Sequence, residues 1–189
     1  MDPQQRFLLQ TTYHALEDSH LRMDQLYGST VSIFVGSVDI EYTGLFKTAE
    51  QISALTATAA SPSVLSGRVA YFFGLQGSAM TVNTACSSSL VAIYLAKQQL
   101  QAAENETYSI VSGVEMIIAP GRMLYRCKAR MLSPECHCKT LDRFADGYAR
   151  GEGCVVVLLE KIVSDSSYRH LARPKWLSTT DMFESVVHS

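Results

Sequence analysis

Several features that would point to particular protein classes are scarce or missing in this sequence. No apolar run is long enough to cross a bilayer, and the start, MDPQQRFLLQ, has neither a basic leader nor a signal-type apolar core. These absences predict a cytoplasmic protein with no membrane partner. Sixteen lysines and arginines stand against eighteen acidic residues, a net charge of -2. Without an excess of positive charge, the sequence does not favour a nucleic-acid partner.

Cysteine is present, but not in a pattern typical of disulfides or of metal sites. The five cysteines are an odd number at irregular spacing, and a chain of 189 residues can bury a core without disulfide bonds. We therefore expect reduced thiols, with Cys138 and Cys154 packed. Cys136, His137 and Cys138 lie together near Cys127, but structural zinc sites need two spaced ligand pairs and no second pair follows. No metal is expected.

Two other motifs lack the spacing that their chemistry requires. The glycines of GLQGS, 74–78, and of DGYARGEGC, 146–154, do not form a phosphate-binding loop, so we expect turns that need positive φ. The serines at 87–89 are not in the GxSxG turn that a serine hydrolase requires.

One loop is rich in charge. We expect it to be solvated or internally paired, with a docking role as the less favoured alternative. Its charged residues are Arg143, Asp146, Arg150 and Glu152.

What is present is an alternation of strand and helix patterns. A helix is predicted from an Asp2 cap and Pro3 to near Ser19. Strands are predicted at 31–36, 80–85, 108–119 with a break at Gly113, and 154–162. A short amphipathic stretch is predicted at 66–73. A helix is predicted at 87–102, because apolar and long side chains recur there at helical steps: Leu90, Ile93, Tyr94, Lys97 and Leu100. This order predicts an α/β sandwich with a largely buried mixed sheet. The tail, 164–189, is expected to be a loosely packed extension.

The stretch TVNTACSSSL, 81–90, places Cys86 between a predicted strand and the start of the predicted helix. A helix N-terminus offers free N–H groups and a partial positive charge, which favour a thiolate and hold an oxyanion. Cys86 is therefore a candidate nucleophile, with the backbone at Cys86, Ser87 and Ser88 as the activating and oxyanion-binding region. From the pattern alone, a small buried core cysteine remains the more common alternative.

The segment TVNTACSSSLVAIYLA resembles the nucleophile segment of the β-ketoacyl synthases, in particular the ketosynthase domains of polyketide synthases and related fatty acid synthases. Five further blocks agree in the family's order: MDPQQRFLLQTTYHALEDS, IFVGSVDIEY, SGRVAYFFGLQGS, IVSGVEMIIAP and MLSPECHCKTLDRFADGYARGEGCVVVLLEKI. The resemblance covers residues 1–163, a partial ketosynthase N-terminal region, and leaves 164–189 as an unmatched tail.

The resemblance implies a thiolase-like layered α/β sandwich of which only part is present, and a homodimer within a multidomain synthase. It implies that Cys86 accepts an acyl chain from the phosphopantetheine of an acyl carrier protein, before decarboxylative condensation with a carrier-bound extender. No cofactor bound by this chain itself is implied. The strand before the nucleophile is implied to form the dimer interface; its residues are Ala79, Met80, Thr81, Val82, Asn83, Thr84 and Ala85.

The chain departs from the family pattern in three ways. Asn83 stands where aspartate is usual, and Ser78 where proline is usual, so local hydrogen bonding is expected to differ. The first strand of the family and its whole later half, with the two catalytic histidine loops, have no counterpart. None of the five histidines, His14, His20, His137, His170 and His188, lies in such a loop. We therefore expect no condensation from this polypeptide alone, and a non-catalytic remnant or interaction subunit is the alternative hypothesis.

Overall fold

The computed structural model describes residues 1–38 and 40–161. Helices α1 to α6 span Pro3–Asp18, Met23–Leu26, Thr56–Ala59, Ser63–Phe73, Ser88–Ala102 and Pro120–Lys128. Strands β1 to β4 span Ser32–Gly36, Ala79–Val82, Tyr108–Glu115 and Gly153–Glu160, and short 3-10 helices span Tyr42–Leu45 and Ala49–Gln51. The predicted tail, with His170 and His188, lies outside the described residues.

The four strands form one mixed sheet in the order β2-β1-β3-β4. Strand β1 runs parallel to β2 and to β3, whereas β4 is antiparallel to β3. The carboxyl ends of β1, β2 and β3 therefore meet at one edge of the sheet, where the amino end of β4 joins them. The predicted mixed α/β sheet is confirmed.

Helices cover the sheet on both faces, and the alternation of strand side chains decides which residues meet which helix. On one face, Ile33 and Val35 pack with α1 and α4 in the larger core. On the other face, Phe34 and Val111 pack against Ala92 and Ala96 of α5. Small side chains at four-residue steps allow α5 to lie close to the strands.

The predicted elements are confirmed where a local cap or a β-branched run defines them. The Asp2 carboxylate accepts a hydrogen bond from the Gln4 N–H at 2.8 Å, and α1 ends at Asp18 with Ser19 as its C-cap. Such a cap satisfies an N–H group that the first helical turn leaves free. Strand β1 also lies within the predicted 31–36 range and is buried along its length.

Three details of the prediction are wrong. Strand β3 continues through Gly113 to Glu115, because Gly113 keeps its place in both strand pairings. Strand β2 ends at Val82, so Asn83, Thr84 and Ala85 do not belong to it. Strand β4 is only partly buried in the described structure.

The helix predicted at 87–102 forms, but the side that it buries is not the one with the large apolar residues. Its buried residues are Ser88, Ala92, Ala96 and Leu100, whereas Leu90, Ile93 and Tyr94 are exposed. In the described part of the chain, no helix has the length and apolar character needed to span a bilayer.

Candidate active site

Cys86 lies in a tight turn between the end of β2 and the start of α5, and its side chain is exposed. The preceding residue, Ala85, has a φ of 57°, a left-handed conformation that is uncommon for a residue with a side chain. Such strain persists only where the surrounding contacts determine the backbone, and it is frequent at functional sites. Here the chain reverses sharply so that the cysteine stands at the helix start.

The serines around Cys86 hold this turn. The Ser88 hydroxyl accepts from the Thr84 N–H at 2.9 Å and donates to the Ala85 carbonyl at 2.5 Å. The Ser87 hydroxyl donates to the Thr84 carbonyl at 2.8 Å. The Ser88 N–H itself donates to the Ala85 carbonyl at 3.1 Å. The polar run after the cysteine therefore satisfies the backbone of a strained turn.

Asn83 connects this turn to the loop that follows β1. Its side-chain amide donates to the Val38 carbonyl at 2.6 Å, and its amide oxygen accepts from the Ala85 N–H at 3.1 Å. An aspartate would keep the second bond but could not donate the first. Asparagine thus suits this position because it bonds on both sides.

Two glycines bring the start of α5 against the sheet. Gly36 and Gly113 are register partners on β1 and β3. A Cβ at Gly36 would lie 2.6 Å from the Ser89 nitrogen, and a Cβ at Gly113 would lie 3.1 Å from the Ser89 Cβ. The absence of side chains at this pair lets the helix end that carries Cys86 lie directly on the carboxyl ends of the strands.

A cleft of about 480 Å³ opens beside the cysteine. Its walls come from the carboxyl ends of β1 and β3, the start of β4 and the first turn of α5. Most of the lining is small or apolar; the residues include Gly36, Cys86, Ser89, Ile93, Glu115 and Val155. An apolar cleft with few polar groups is typical of a site for a small organic ligand.

A buried ionic network lies at one wall of this cleft. The Arg150 Nη2 donates to Glu41 Oε1 at 3.0 Å and to Glu115 Oε1 at 2.9 Å. Glu41 Oε2 also accepts from the N–H groups of Ile118 at 3.0 Å and Ala119 at 2.8 Å. The network therefore joins the segment after β1, the end of β3 and the start of α6.

The two carboxylates of the network have different surroundings. Burial would by itself raise the pKa of Glu41, but hydrogen bonds from the Ala119 N–H, Arg150 and the Ile118 N–H outweigh it, so that pKa lies below its usual value. Burial raises the pKa of Glu115, and Arg150 offsets only part of that rise. The pKa of Glu41 is therefore lower than that of Glu115.

The charged loop is largely paired internally, as predicted. Asp146 accepts from Lys139 Nζ at 3.0 Å, and Glu152 accepts from the Ile117 N–H at 2.6 Å. Arg143 lies over the ring of Phe144, with its guanidinium carbon 4.6 Å from the ring centroid. The glycine prediction for these loops holds only in part: Gly74 and Gly147 have positive φ, whereas Gly77 is required by close contact with the Val31 backbone.

The histidines and remaining cysteines lie outside the cleft lining in the described structure. His14 is paired with Glu17 on the surface of α1, and His137 lies in an exposed loop. Cys154 is packed in the larger core, as predicted. Cys138 is exposed and accepts from the Ala149 N–H at 3.2 Å, so the prediction of a packed thiol was wrong there. Over residues 1–38 and 40–161, no group of three or more candidate ligands is placed to hold a metal.

Part of the site was not predicted from the sequence. Helix α6 was not predicted, and the glycine pair and Glu41 had no role assigned to them. For α6, the signals were Pro120 in its first turn and basic residues in its last turn. For Glu41, which is distant in sequence from Arg150, no local signal existed.

Comparison with known proteins agrees with this geometry. The family model of the beta-ketoacyl synthase N-terminal domain matches residues 1–163. The chain is 46% identical over 163 residues to the cyclo-acetoacetyl-L-tryptophan synthase of Aspergillus oryzae, and 44% identical over 160 residues to a lovastatin nonaketide synthase of Monascus pilosus. These matches cover 86% and 84% of this chain but only 4% and 5% of those relatives.

Solved ketosynthases have the same fold in this region. The ketosynthase from module 6 of the bacillaene synthase of Bacillus subtilis 168 superposes with a TM-score of 0.76 at 33% identity, covering 86% of this chain and 27% of that one. The oxazolomycin ketosynthase domain of Streptomyces albus JA3453 gives a TM-score of 0.76 at 32% identity, covering 85% and 28%. The sheet, the turn before α5 and the matched sequence together show that this chain belongs to the β-ketoacyl synthase family and has part of its thiolase-like fold.

Proposed function

We propose that this chain carries the acyl-accepting half of a polyketide-synthase-type β-ketoacyl synthase, with Cys86 as the nucleophile. The observation that supports this most directly is the exposed Cys86 thiol in a strained turn at a helix start, facing an apolar cleft. The chain spans 4% and 5% of the synthases named above, so the activity of a whole synthase is proposed only as its context.

The proposed step is an acyl transfer between two sulfur atoms. The Cys86 thiolate attacks the carbonyl carbon of a thioester on the phosphopantetheine of an acyl carrier protein. The resulting oxyanion collapses, the carbon–sulfur bond to the carrier breaks, and the carrier leaves as a thiol after taking up a proton. The Ser88 N–H already donates to the Ala85 carbonyl, so we leave it out of the proposed oxyanion donors. The remaining proposed donors are the backbone N–H groups of Cys86 and Ser87.

The described residues support this transfer but not the subsequent condensation. Decarboxylation of an extender and stabilisation of its enolate are the steps for which the family resemblance implies histidine loops. His14, His20 and His137 do not line the cleft. This observation favours a second candidate function, that of a non-catalytic ketosynthase remnant or interaction subunit.

Intact-mass analysis after incubation with a butyryl thioester of N-acetylcysteamine tests the transfer. We expect one butyryl adduct, which maps to Cys86 and is lost in Cys86→Ala. Cys127→Ala removes another exposed thiol and is the matched control that should retain the adduct. A wild-type chain without a Cys86-dependent adduct would support the interaction candidate.

The homodimer proposal rests on strand β2. Within the described structure β2 pairs only with β1 and forms an edge of the sheet, and its Ala79 and Met80 are exposed. An exposed edge strand is a template for pairing with a second copy of the same chain. We expect Met80→Lys to lower the dimer fraction in light scattering, whereas Leu141→Lys, at another exposed site, should leave it unchanged.

A further inference from the structure

Among the described residues that line the Cys86 cleft, Glu115 is the one charged side chain. It lies at the carboxyl end of β3, opposite Gly153 of β4, while Cys86 lies at the start of α5. The other walls are backbone, serine hydroxyls and apolar side chains such as Ile93 and Val155. A charge beside apolar walls acts on a ligand more strongly than the same charge in bulk water.

The ionic network of Arg150 and Glu41 fixes the position of the Glu115 side chain. Arg150 donates to it at 2.9 Å, and the side chains of Arg150 and Glu41 are only 4% and 1% exposed. Glu41 in turn is held by two backbone N–H groups. The Glu115 side chain, which is 29% exposed, is thus held at the cleft wall.

The network does not give Glu115 a cation of its own. A single Arg150 nitrogen, Nη2, donates to both carboxylates, so Glu115 shares this cation with Glu41. Arg126 acts on Glu115 electrostatically, without a hydrogen bond between them. Burial raises the pKa of Glu115, and the attraction of Arg150 and Arg126 offsets only part of that rise, so the ionised carboxylate already carries a cost in this position. A second carboxylate in the cleft would add repulsion to this cost.

We propose that Glu115 is a specificity-determining residue of the Cys86 cleft, which admits neutral acyl groups and disfavours acyl groups that end in a free carboxylate. The proposal rests on the proposed function of Cys86 for its biological meaning. Its physical basis is discrimination by an unfavourable contact with the wrong ligand, as distinct from a better contact with the right one.

Butyryl and succinyl thioesters of N-acetylcysteamine provide a direct test, because both acyl chains have four carbons and only the second ends in a carboxylate. Rates of Cys86 acylation are measured by intact mass and divided by the rates with free glutathione. We expect the wild-type chain to prefer butyryl about tenfold. Glu115→Gln keeps an oxygen for Arg150 but removes the charge, so the preference should fall to about twofold or less.

The matched control is Glu152→Gln, which neutralises a nearby carboxylate that does not line the cleft and should retain the wild-type preference. Glu115→Ala is a second neutral variant, used if Glu115→Gln does not fold. A ratio of rates cancels any change in the reactivity of the thiol itself. An unchanged preference in the folded neutral variant, or no preference in the wild type, would overturn the proposal.

Alkylation separates this proposal from that of acyl transfer. Iodoacetamide and iodoacetate differ in charge and modify Cys86 without any transferase activity. We expect the same preference for the neutral reagent and the same loss of it in Glu115→Gln, read from the modified Cys86 peptide. If no thioester forms an adduct but alkylation still prefers the neutral reagent, the proposal of acyl transfer is wrong and the proposal of charge selection stands. If alkylation shows no preference for the neutral reagent, the proposal of charge selection is wrong.

Discussion

At the scale of single residues, the site depends on side chains that satisfy backbone groups around Cys86. Asn83 is the clearest case, because its amide bonds to Val38 on one side and to Ala85 on the other. The turn that presents the thiol is therefore connected to the loop after β1. The serines at 87 and 88 act in the same way on Thr84 and Ala85.

We expect Asn83→Asp to weaken the site although it restores the residue usual in the family. The carboxylate would face the Val38 carbonyl with no hydrogen to donate, which should cost about 1 kcal/mol of unfolding free energy. Urea unfolding and the rate of Cys86 alkylation measure the effect. Asn105→Asp, at the other asparagine, is the matched control, and equal losses in both variants would contradict this explanation.

Cys154 makes stability depend on pH in the alkaline range. Burial raises its pKa from 9.0 to about 11, with a hydrogen bond from Thr11 acting in the opposite direction. In the unfolded chain the thiol ionises near pH 9, so the folded chain holds more protons between these two values. The stabilisation is present below about pH 9 and is lost as pH rises through about 11.

Over that range we expect the unfolding free energy to fall by about 3 kcal/mol because of Cys154. Comparing Cys154→Ala with the wild type at pH 8 to 11.5 isolates the effect, because other groups titrate in both. Cys127→Ala, at an exposed thiol, should follow the wild-type pH dependence. A Cys154→Ala profile parallel to that of the wild type would show that the prediction is wrong.

At the scale of elements, the contact between α5 and the sheet decides where Cys86 lies. Gly36 and Gly113 are paired across β1 and β3 beneath the first turn of α5. Further along the helix, Ala92 and Ala96 continue the close contact with Phe34 and Val111. One row of small residues therefore sets the height of the helix above the strands and the place of Cys86.

Gly36→Ala should displace the start of α5, because the new Cβ would lie 2.6 to 2.7 Å from the Ser88 and Ser89 backbone. We expect a loss of about 1 to 3 kcal/mol of stability and slower acylation of Cys86. Gly67→Ala in α4 is the opposite control: its Cβ meets nothing within 4 Å, so better helix propensity should stabilise the chain by up to about 1 kcal/mol. A stable and fully reactive Gly36→Ala variant would refute the close-contact argument.

At the scale of the whole molecule, the described structure leaves one face of α5 uncovered. Leu90 is 68% exposed and Tyr94 is 58% exposed, on the side of the helix away from the sheet. Val155 of β4 is exposed as well, next to the cleft. Exposed apolar groups of this size, close together, favour association.

We expect the 189-residue chain to form species larger than a dimer in solution. A double variant, Leu90→Glu with Tyr94→Lys, should reduce these species in size-exclusion chromatography with light scattering. Leu141→Glu, at a fully exposed leucine in a loop, should not. A wild-type chain that stays a monodisperse monomer or dimer would contradict the expectation.

The sequence predicted those parts of the fold that local chemistry defines. Asp2 and Pro3 mark the start of α1, the β-branched run at 31–36 marks β1, and the position of Cys86 before a helix was correct. The buried side of α5 was not predictable in the same way, because Leu90, Ile93 and Tyr94 are exposed whereas Ala92 and Ala96 face the sheet. Hydrophobic periodicity predicts that a helix forms, but not which neighbour it will meet.

By itself, the sequence determined the order of the four strands and of helices α1 and α5, the family and the candidate nucleophile, because caps, β-branched runs and the ordered motif blocks are local in the chain. Only the tertiary structure decided that Gly36 and Gly113 form one surface beneath α5 and that Arg150 joins Glu41 to Glu115. These groups are distant along the chain and meet because parallel strands end at one edge of the sheet. The thiol was predictable from its neighbours in sequence, whereas the placement of Glu115 in the lining of the cleft depends on neighbours in space.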